Sequence, residues 1–364
     1  MKKTDVLVVG GGPAGLRAAL STAEAGARVL VADRAPRMGG QLVKQTHMFF
    51  GSKEQYASVR GIDIPEKLLG RLARFGDKVE LLPGCTVLGA YEDGVFTALQ
   101  GEDYFKIRPV SAVIATGAIE RTLAFPNNDL PGIYGAGAVQ TLMNVYGVKP
   151  GRRVLMVGAG NIGLIVSYQL LQAGVEVVMI IDAAPKIGGY LVHAAKVRRM
   201  GVPIHTSRTV LRAEGNGRLE RAVTAALDAR CAPVPGTEQT VEADVMCISV
   251  GLSPLTELLA MAGCELRYIP QLGGGVPVRS REYETTVPGL FVAGDASGIE
   301  EASAAMMEGA LAGLYAAGYA GFVHPSEAET AAELRAALAA LRAGEAGRHI
   351  RAGLELLEKE ALYA

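Results

Sequence analysis

The chain has 364 residues, of which 49% are hydrophobic and 5% aromatic, with no tryptophan and a net charge of -1. A single core stops growing near roughly 250–300 residues, so this length predicts more than one domain. The near-zero charge gives no electrostatic footprint for nucleic acid, and no apolar run approaches the roughly 18 residues of a membrane-spanning helix. We therefore expect a soluble, cytoplasmic protein. The 46 glycines are typical of many tight strand-to-helix turns, which indicates an α/β fold.

Strands and helices alternate along the chain in two similar series. In each series an apolar strand precedes a helical pattern and a second strand follows, which is the pattern of a βαβ unit in a parallel sheet. The first series is predicted at residues 5–9, 13–24 and 28–32, and the second at 154–157, 162–173 and 176–181. A repeat of roughly 150 residues is the size of a duplicated domain. Alternating residues at 206–228, around a glycine-rich turn, predict a β-hairpin in the second domain.

Each series carries the spacing G-x-G-x-x-G between its first strand and its helix. The first glycine makes a tight turn, the second lets the backbone approach a pyrophosphate, and the third lets helix and strand pack closely. With 46 glycines in 364 residues, roughly 0.7 matches are expected by chance, so one match alone would be weak. Two matches in strand–turn–helix context predict two dinucleotide sites, one at Gly10, Gly12, Pro13, Ala14 and Gly15 and the other at Gly158, Gly160, Asn161, Ile162 and Gly163.

An acidic residue ends the second strand of each series. Asp33 lies 23 residues after Gly10, and Asp182 lies 24 residues after Gly158. A carboxylate at this position accepts hydrogen bonds from the ribose hydroxyls of the adenosine. At Asp182 it would also repel the 2′-phosphate of NADP, and no arginine lies near it in the sequence, so NAD(H) is predicted there. Asp33, with Arg34 beside it, is assigned to the first site.

The segment 286–295 forms a predicted strand that ends in Gly294 and Asp295, and a long apolar helix follows at 302–319. It resembles the second flavin-binding motif of the pyridine nucleotide–disulfide oxidoreductase superfamily. There the aspartate contacts the ribityl chain of FAD, and the following helix points its N-terminus at the flavin ring, where its dipole stabilises negative charge. The resemblance implies FAD at the first fingerprint and NAD at the second. It also assigns to the FAD site Gly40, Gln41, Leu42, Val87, Thr116 and Gly117, and to the NAD site Gly251.

The cysteine pattern departs from the disulfide reductases of that superfamily. Those enzymes need a CxxC or CxxxxC pair beside the flavin, whereas Cys85, Cys231, Cys247 and Cys264 are widely separated. We expect free, buried thiols, with no disulfide reduction and no metal site.

The stretches 40–52, 115–121 and 130–134 are similar to the FAD/NAD-binding alpha (or A) subunits of heteromeric amine and amino-acid oxidoreductases, which include sarcosine oxidase, opine dehydrogenases, dye-linked proline dehydrogenases and hydrogen cyanide synthase. The resemblance implies hydride exchange between NAD(H) and FAD, a partner that is a catalytic flavoprotein subunit, and an amine or amino acid as substrate of the complex. Because no cysteine follows Cys264, an iron–sulfur cluster would have to come from a separate small protein. Two alternatives remain: a stand-alone NADH-dependent flavin reductase or diaphorase, and a subunit whose second site binds a regulatory adenine nucleotide.

Proline- and glycine-rich clusters at 126–132 and 270–275 are the predicted crossings between domains. They define a discontinuous FAD domain at 1–122 and 268–324, an inserted NAD domain at 123–267 and a helical tail at 325–364. The tail is predicted to form two helices broken around 344–347, which either fold back on their own domain or dock another chain of the complex. His47 follows the flavin loop and is the one candidate proton donor. The alternative is that His47 packs this loop together with Phe49 and Phe50.

Overall fold

The computed structural model describes residues 1–49, 52–345 and 347–361, and the chain divides into two compact units. The first unit comprises Met1–Ile119 and Ser253–Ala364, and the second comprises Glu120–Leu252. The second unit is therefore an insertion in the first.

The helices and strands follow the alternation seen in the sequence. Up to the insertion they are β1 (Lys2–Val9), α1 (Pro13–Glu24), β2 (Val29–Asp33), α2 (Ile64–Leu72), β3 (Val79–Pro83), β4 (Cys85–Ala90), β5 (Phe96–Gln100), β6 (Asp103–Ile114) and β7 (Ala118–Glu120). The insertion holds β8 (Ile133–Gly135), α3 (Ala136–Asn144), β9 (Arg153–Val157), α4 (Asn161–Gln172), β10 (Glu176–Ile181), α5 (Leu191–Arg199), β11 (Ile204–His205), β12 (Arg208–Glu214), β13 (Arg221–Ala226), β14 (Gln239–Glu242) and β15 (Val245–Ile248). After it come β16 (Leu252–Pro254), α6 (Glu257–Met261), β17 (Leu266–Ile269), β18 (Gly274–Pro277), β19 (Leu290–Val292), α7 (Ala302–Tyr319), α8 (Glu327–Leu341) and α9 (Arg348–Ala361).

A seven-stranded sheet forms the centre of the first unit, with the order β3-β2-β1-β6-β5-β4 and with β19 also paired to β6. The pairs β1–β2, β2–β3, β1–β6 and β6–β19 are parallel, whereas β4, β5 and the start of β6 form an antiparallel meander. Apolar clusters cover both faces of the sheet. This explains why β1 reads as a continuous apolar run rather than as an alternating one.

Helix α7 packs directly against α1. A Cβ added at Gly309 or Gly313 would overlap the carbonyl oxygen of Ala14 or Ala18 of α1. The hydroxyl of Thr22 also donates a hydrogen bond to the carbonyl of Gly313, at 3.1 Å. The small residues of α7 thus let the two helix backbones approach closely, and the segment that precedes α7 is held beside the fingerprint that opens α1.

The second unit repeats the parallel arrangement on a smaller scale. Its five strands have the order β11-β10-β9-β15-β8, and all four pairs are parallel. The predicted hairpin is present as β12 and β13, and β14 extends it to a three-stranded antiparallel sheet.

The second unit ends earlier than the predicted inserted domain. The sequence pattern predicts its end at residue 267 and a crossing at 270–275, whereas the unit ends at Leu252. Residues 253–267 lie with the first unit because Leu259 and Cys264 pack in the same apolar cluster as its sheet. The proline- and glycine-rich stretch 270–275 connects β17 and β18, which form an antiparallel hairpin inside the first unit. The cluster at 126–132 lies within the second unit.

The tail forms the two predicted helices, α8 and α9, and both fold back on the first unit. Leu334 and Leu338 of α8 pack in the apolar cluster that contains α1 and α7. The apolar side chains of α9 pack against β17, β18 and the turn between them; they are Ile350, Leu354 and Leu357. These apolar residues therefore follow the first alternative for the tail, in which its helices fold back on their own domain.

Candidate functional site

The first fingerprint lies at the carboxyl edge of the parallel strands, between β1 and α1. A Cβ at Gly15 would overlap the carbonyl oxygen of Gly10, so the third glycine is required by the turn itself. A Cβ at Gly12, in contrast, would meet only the Cα of Gly40, at 3.8 Å. Helix α1 begins at Pro13, and no side chain in the described part of the chain caps it. The helix N-terminus therefore presents backbone N–H donors and open room at the glycine that should approach a pyrophosphate.

The carboxylate of Asp33 is tied to this fingerprint at the end of β2. Its Oδ2 accepts the backbone N–H of Gly11 at 2.6 Å, and its Oδ1 accepts that of Ala35 at 2.7 Å. Each oxygen keeps a second lone pair for a ribose hydroxyl. Arg34 beside it is exposed.

The loop that follows β2 lies against the fingerprint. The N–H of Gly39 donates to the carbonyl of Gly11 at 2.7 Å. Gly40 has φ +52, and a Cβ there would come within 2.8 Å of the Cα of Gly12. Gln41 is exposed and Leu42 is buried. Gly40 is thus brought against the predicted FAD fingerprint, whereas Leu42 packs in the core of the unit.

Thr116 and Gly117 hold the chain after the insertion. The hydroxyl of Thr116 donates to the carbonyl of Leu255 at 2.7 Å, and the N–H of Leu255 donates to the carbonyl of Gly117 at 3.0 Å. Val87 lies in β4, where it pairs with Ala98 of β5. The side chain of Thr116 therefore links two segments of the first unit, its own and the one that contains Leu255.

Asp295 lies in a one-turn 3-10 helix, Gly294–Ala296, directly after β19. Its Oδ1 accepts the backbone N–H of Glu300 at 3.4 Å. Burial raises the pKa of Asp295 to about 7, and the neighbouring carboxylates of Glu308 and Glu300 add to the rise, while the N–H of Glu300 opposes it. Such a partly buried, weakly satisfied carboxyl group near a helix N-terminus suits a ligand that donates hydroxyl hydrogen bonds.

The second fingerprint reproduces the first. A Cβ at Gly163 would overlap the carbonyl oxygen of Gly158, whereas one at Gly160 would meet no heavy atom within 4 Å among the described residues. The carboxylate of Asp182 accepts the N–H of Ala159 at 2.6 Å and that of Ala184 at 2.8 Å. The second unit thus repeats both the open middle glycine and the double backbone tie of the acid. Ile162 in the first turn of α4 is 37% exposed.

The loop after Asp182 contacts the second fingerprint, a feature that was not predicted from the sequence. The N–H of Gly189 donates to the carbonyl of Ala159 at 2.9 Å, as Gly39 does to Gly11. The side chain of Asn161 accepts the N–H of Tyr190 at 2.8 Å, so it fixes this loop. The signal was available, because residues 184–192 read APKIGGYLV where residues 35–43 read APRMGGQLV.

The surroundings of Asp182 bear on the choice between NAD and NADP. Arg208 donates its backbone N–H to the carbonyl of Asp182 at 2.9 Å. Its guanidinium donates instead to the hydroxyl of Thr224 at 2.8 Å and to the carbonyl of Thr237 at 3.4 Å. This arginine is therefore engaged in the antiparallel sheet, which fits the predicted preference for NAD. Gly251 is exposed and accepts the N–H of Arg121 at 3.0 Å.

His47 is partly buried and lies in the loop after the Gly40–Lys44 turn. Its ring stacks on that of Phe49, with 5.8 Å between centroids and 17° between planes. This geometry fits the packing alternative, and the catalytic role stays a prediction. Phe50 and Gly51, which belong to the same predicted stretch, lie outside the described residues.

All four cysteines lie in the described ranges and are free. Cys85, Cys247 and Cys264 are buried, as predicted, but Cys231 is exposed. Cys231 lies in the connection between β13 and β14, with φ +61, and its side chain is at the surface. Burial raises the pKa of the other three thiols, so none of those is activated as a thiolate.

Metal-ligating clusters and membrane-spanning helices are absent from residues 1–49, 52–345 and 347–361. In those ranges, no group of three or more His, Cys, Asp and Glu side chains could hold a metal ion. Every helix of the same ranges is too short or too polar to cross a bilayer.

The arrangement of the first unit fits FAD, and that of the second fits an adenine dinucleotide. In both units a Cβ would have room at the middle glycine, whereas at the first and third glycines it would overlap backbone atoms. Among the described residues, no side chain caps the N-terminus of the helix that follows. In the first unit the partly buried Asp295 adds a further acceptor after β19. Such donors and acceptors suit two pyrophosphates, two riboses and one polyhydroxyl chain.

Several known proteins resemble most of the chain in sequence. The alpha subunit of sarcosine oxidase from Corynebacterium sp. (strain P-1) is 31% identical over 338 residues, which is 88% of this chain and 33% of the relative. The A subunit of opine oxidase from Rhizobium meliloti is 30% identical over 86% of this chain and 62% of the relative. The HcnB subunit of hydrogen cyanide synthase from Pseudomonas protegens is 27% identical over 85% of this chain and 69% of the relative. The chain thus spans a third to about two thirds of these relatives, and their names confirm the predicted resemblance to subunits of such oxidoreductases.

Solved structures share the fold. L-proline dehydrogenase from P. horikoshii has a TM-score of 0.69 and 24% identity, covering 92% of this chain and 59% of that one. Thioredoxin reductase from T. acidophilum has a TM-score of 0.72 and 23% identity, covering 87% of this chain and 99% of that one. At this identity the likeness shows the two-domain fold, which agrees with the two units described above. The family model for pyridine nucleotide-disulphide oxidoreductases matches residues 4–309, and the chain therefore belongs to that family.

Proposed function

We propose that this chain is an FAD-dependent oxidoreductase that exchanges a hydride between NAD(H) and FAD, as one subunit of a heteromeric amine or amino-acid dehydrogenase or oxidase. Membership of the family implies FAD binding. The observation that carries the proposal is the repetition of the site: Asp33 and Asp182 each accept two backbone N–H groups, one from the fingerprint and one from the following loop. Two adenine-dinucleotide sites in one chain are what hydride exchange between two such cofactors requires.

Bound FAD and NAD(H) would supply the hydride chemistry, and the protein would supply binding and orientation. The N-termini of α1 and α4 present N–H groups to the two pyrophosphates, while Asp33 and Asp182 accept from the ribose hydroxyls. Asp295 accepts from the ribityl hydroxyls. The backbone ties to each acid fix its carboxylate plane before a cofactor binds, so less ordering is needed on binding.

Disulfide reduction is not part of the proposal. Three of the four thiols are buried with raised pKa values, and Cys231 is exposed without a second cysteine in sequence proximity. Reduction of a disulfide substrate needs a reactive pair of cysteines that passes electrons to it from the flavin, and the positions of these four do not offer one.

The proposal of a heteromeric complex rests on the relatives. Sarcosine oxidase and opine oxidase are represented by chains named alpha and A, so those proteins are built from more than one kind of chain. We propose that the partner of this chain is a catalytic flavoprotein subunit, with a small iron–sulfur protein as a further component. The substrate of the complex would be an amine or amino acid.

An anaerobic titration with NADH tests the proposed exchange. The purified protein, loaded with FAD, should lose its visible flavin absorption on addition of one equivalent of NADH, and NADPH should act far more weakly. An unchanged flavin spectrum with NADH would contradict the proposal. Calorimetric binding of ATP without binding of NADH would instead favour a regulatory nucleotide in the second unit.

Co-purification from the native source tests the complex. A stable stoichiometric partner chain is expected. A chain that is isolated alone, and that passes electrons from NADH to small acceptors at full rate, would be a diaphorase.

A further inference from the structure

Three charged side chains join the C-terminal tail to the segment that carries Asp295. Glu300 precedes α7, Glu308 lies within it, and Arg342 is the C-cap residue that follows α8. Their side chains are 10%, 4% and 13% exposed, respectively. Charges this deeply buried must be paired, because burial of an isolated charge is costly.

Arg342 forms hydrogen bonds with both carboxylates at once. Its Nε lies 3.1 Å from each oxygen of Glu300, and its Nη2 lies 2.6 Å from Oε1 of Glu300 and 2.6 Å from Oε1 of Glu308. The planar guanidinium fork suits such a double contact, which an ammonium group cannot reproduce.

Glu308 and Glu300 in turn hold the two ends of the segment from 294 to 300, the first through its carboxylate and the second through its backbone N–H. Oε2 of Glu308 accepts the backbone N–H of Gly294 at 3.0 Å. Glu300, whose side chain Arg342 grips, donates its own backbone N–H to Oδ1 of Asp295 at 3.4 Å. The two ends of the segment are therefore fixed by two residues whose side chains Arg342 contacts.

A second arginine holds the middle of the same segment. Nε of Arg279 donates to the hydroxyl of Ser297 at 2.6 Å, and its Nη2 lies 3.7 Å from Oε1 of Glu308. The hydroxyl of Tyr283 also donates to Glu308, at 3.3 Å. If Arg342 were removed, Glu308 would still be contacted by the guanidinium of Arg279. Glu300 would lose the guanidinium with which it is paired.

The backbone of Arg342 is itself held in place. The guanidinium of Arg351 in α9 donates to the carbonyls of Arg342 and Gly344. A Cβ at Gly347 would overlap the carbonyl oxygen of Arg342, so the turn between the two helices packs on this residue. The backbone position from which the Arg342 side chain extends is thus held by these contacts.

We propose that Arg342 is a positioning residue for the flavin: it pairs with Glu300 and Glu308, whose charges it balances together with Arg279, and so orients Asp295 and its segment toward the ribityl chain of FAD. This inference rests on the proposed FAD site. Anchoring of the tail alone does not require the cluster, because α8 already packs through Ala331, Leu334 and Leu338. Buried ion pairs add little net stability, whereas breaking one leaves an unpaired buried charge.

The test compares FAD dissociation constants of the purified full chain and four variants. They are Arg342→Met, Glu300→Gln, the double variant Arg342→Met/Glu300→Gln, and Arg335→Met as control. Arg335 lies on the same helix and pairs with Glu282 at 3.3 Å, but its side chain is 44% exposed. Thermal unfolding without FAD, and NADH binding by calorimetry, report whether each variant is folded.

We expect Arg342→Met to weaken FAD binding roughly tenfold or more, since one partner of a buried pair is lost. The double variant should bind FAD more tightly than Arg342→Met, because removing the Glu300 charge relieves the imbalance. Arg335→Met should bind like the parent, and all folded variants should bind NADH equally.

Three results would overturn the inference: FAD binding by Arg342→Met within twofold of the parent, a double variant weaker than Arg342→Met, or equal losses in Arg342→Met and Arg335→Met. If Arg342→Met does not fold, the Glu300→Gln variant decides. It removes a carboxylate close to Asp295 and should shift the pH midpoint of FAD binding downward. An unchanged midpoint would count against a positioning role of the cluster. A parent protein that holds FAD but is not bleached by NADH would contradict the proposed function and leave the FAD comparison valid. A parent that holds no FAD would overturn both.

Discussion

Two of the three glycines of the second fingerprint, Gly160 and Gly163, make separable predictions. At Gly160 an added Cβ would meet no described heavy atom within 4 Å, and the backbone is extended there (φ -74, ψ 179), which alanine adopts freely. At Gly163 the same Cβ would overlap the carbonyl oxygen of Gly158. Gly160→Ala should therefore fold and fail to bind NADH, whereas Gly163→Ala should fold poorly.

The magnitudes follow from what each methyl group displaces. Gly160 is the N-cap of α4, and alanine at an N-cap costs about 1 kcal/mol of stability relative to favoured residues. If the methyl group keeps a phosphate from two N–H donors, each worth about 1.5–3 kcal/mol, NADH affinity should fall roughly a hundredfold to ten-thousandfold. At Gly163 the overlap is with backbone that cannot rotate away, so we expect a loss of about 3 kcal/mol or more.

The assay is calorimetry of NADH binding, paired with thermal unfolding of the same samples. Gly12→Ala and Gly15→Ala at the first fingerprint are matched controls, since they should affect FAD binding and folding in the same two ways. A folded Gly160→Ala protein that binds NADH as tightly as the parent would refute the placement of a pyrophosphate at this turn.

Three further predictions concern pH, cofactor choice and thiol exposure. Burial raises the pKa of Asp295 to about 7, and Glu308 and Glu300 add to the rise, so the ionised form that accepts hydrogen bonds is lost as pH falls below 7. FAD affinity should therefore weaken below that pH, by up to about tenfold per pH unit. In the Asp295→Asn variant, FAD affinity should not change with pH over this range. Asp182→Asn should lower NADH affinity roughly 10- to 100-fold and narrow the preference for NADH over NADPH, with FAD content unchanged, as titration of both nucleotides would show. Of the four cysteines, Cys231 alone should react with a thiol reagent in the folded protein, and labelling of a Cys231→Ser variant would contradict the burial of the other three.

The sequence predicted the parts of the fold that depend on strong local patterns. The helices at 13–24 and 302–319 and the strand at 176–181 have the predicted bounds, because apolar periodicity and flanking glycines mark them. The end of the insertion was misplaced, because the proline and glycine residues at 270–275 are equally typical of a hairpin turn, which is what they form.

The site was predictable where it depends on spacing and not where it depends on tertiary contact. Both fingerprints and both acids lie together in their units, since the spacing fixes strand, turn and helix. The role of Gly189 was missed although its loop repeats residues 35–43. Arg342 carried no signal, because its partners Glu300 and Glu308 lie 42 and 34 residues away and an arginine in a polar tail usually indicates a solvated face.

The central claim is that a hydride passes between NAD(H) and FAD on this chain. The most direct measurement is anaerobic stopped-flow absorption of the FAD-loaded protein mixed with NADH, and with NADH deuterated at the transferred position. We predict rapid loss of the flavin band with NADH and a slower loss with the deuterated form. A flavin band that persists with NADH, in a protein shown to bind both cofactors, would contradict the account.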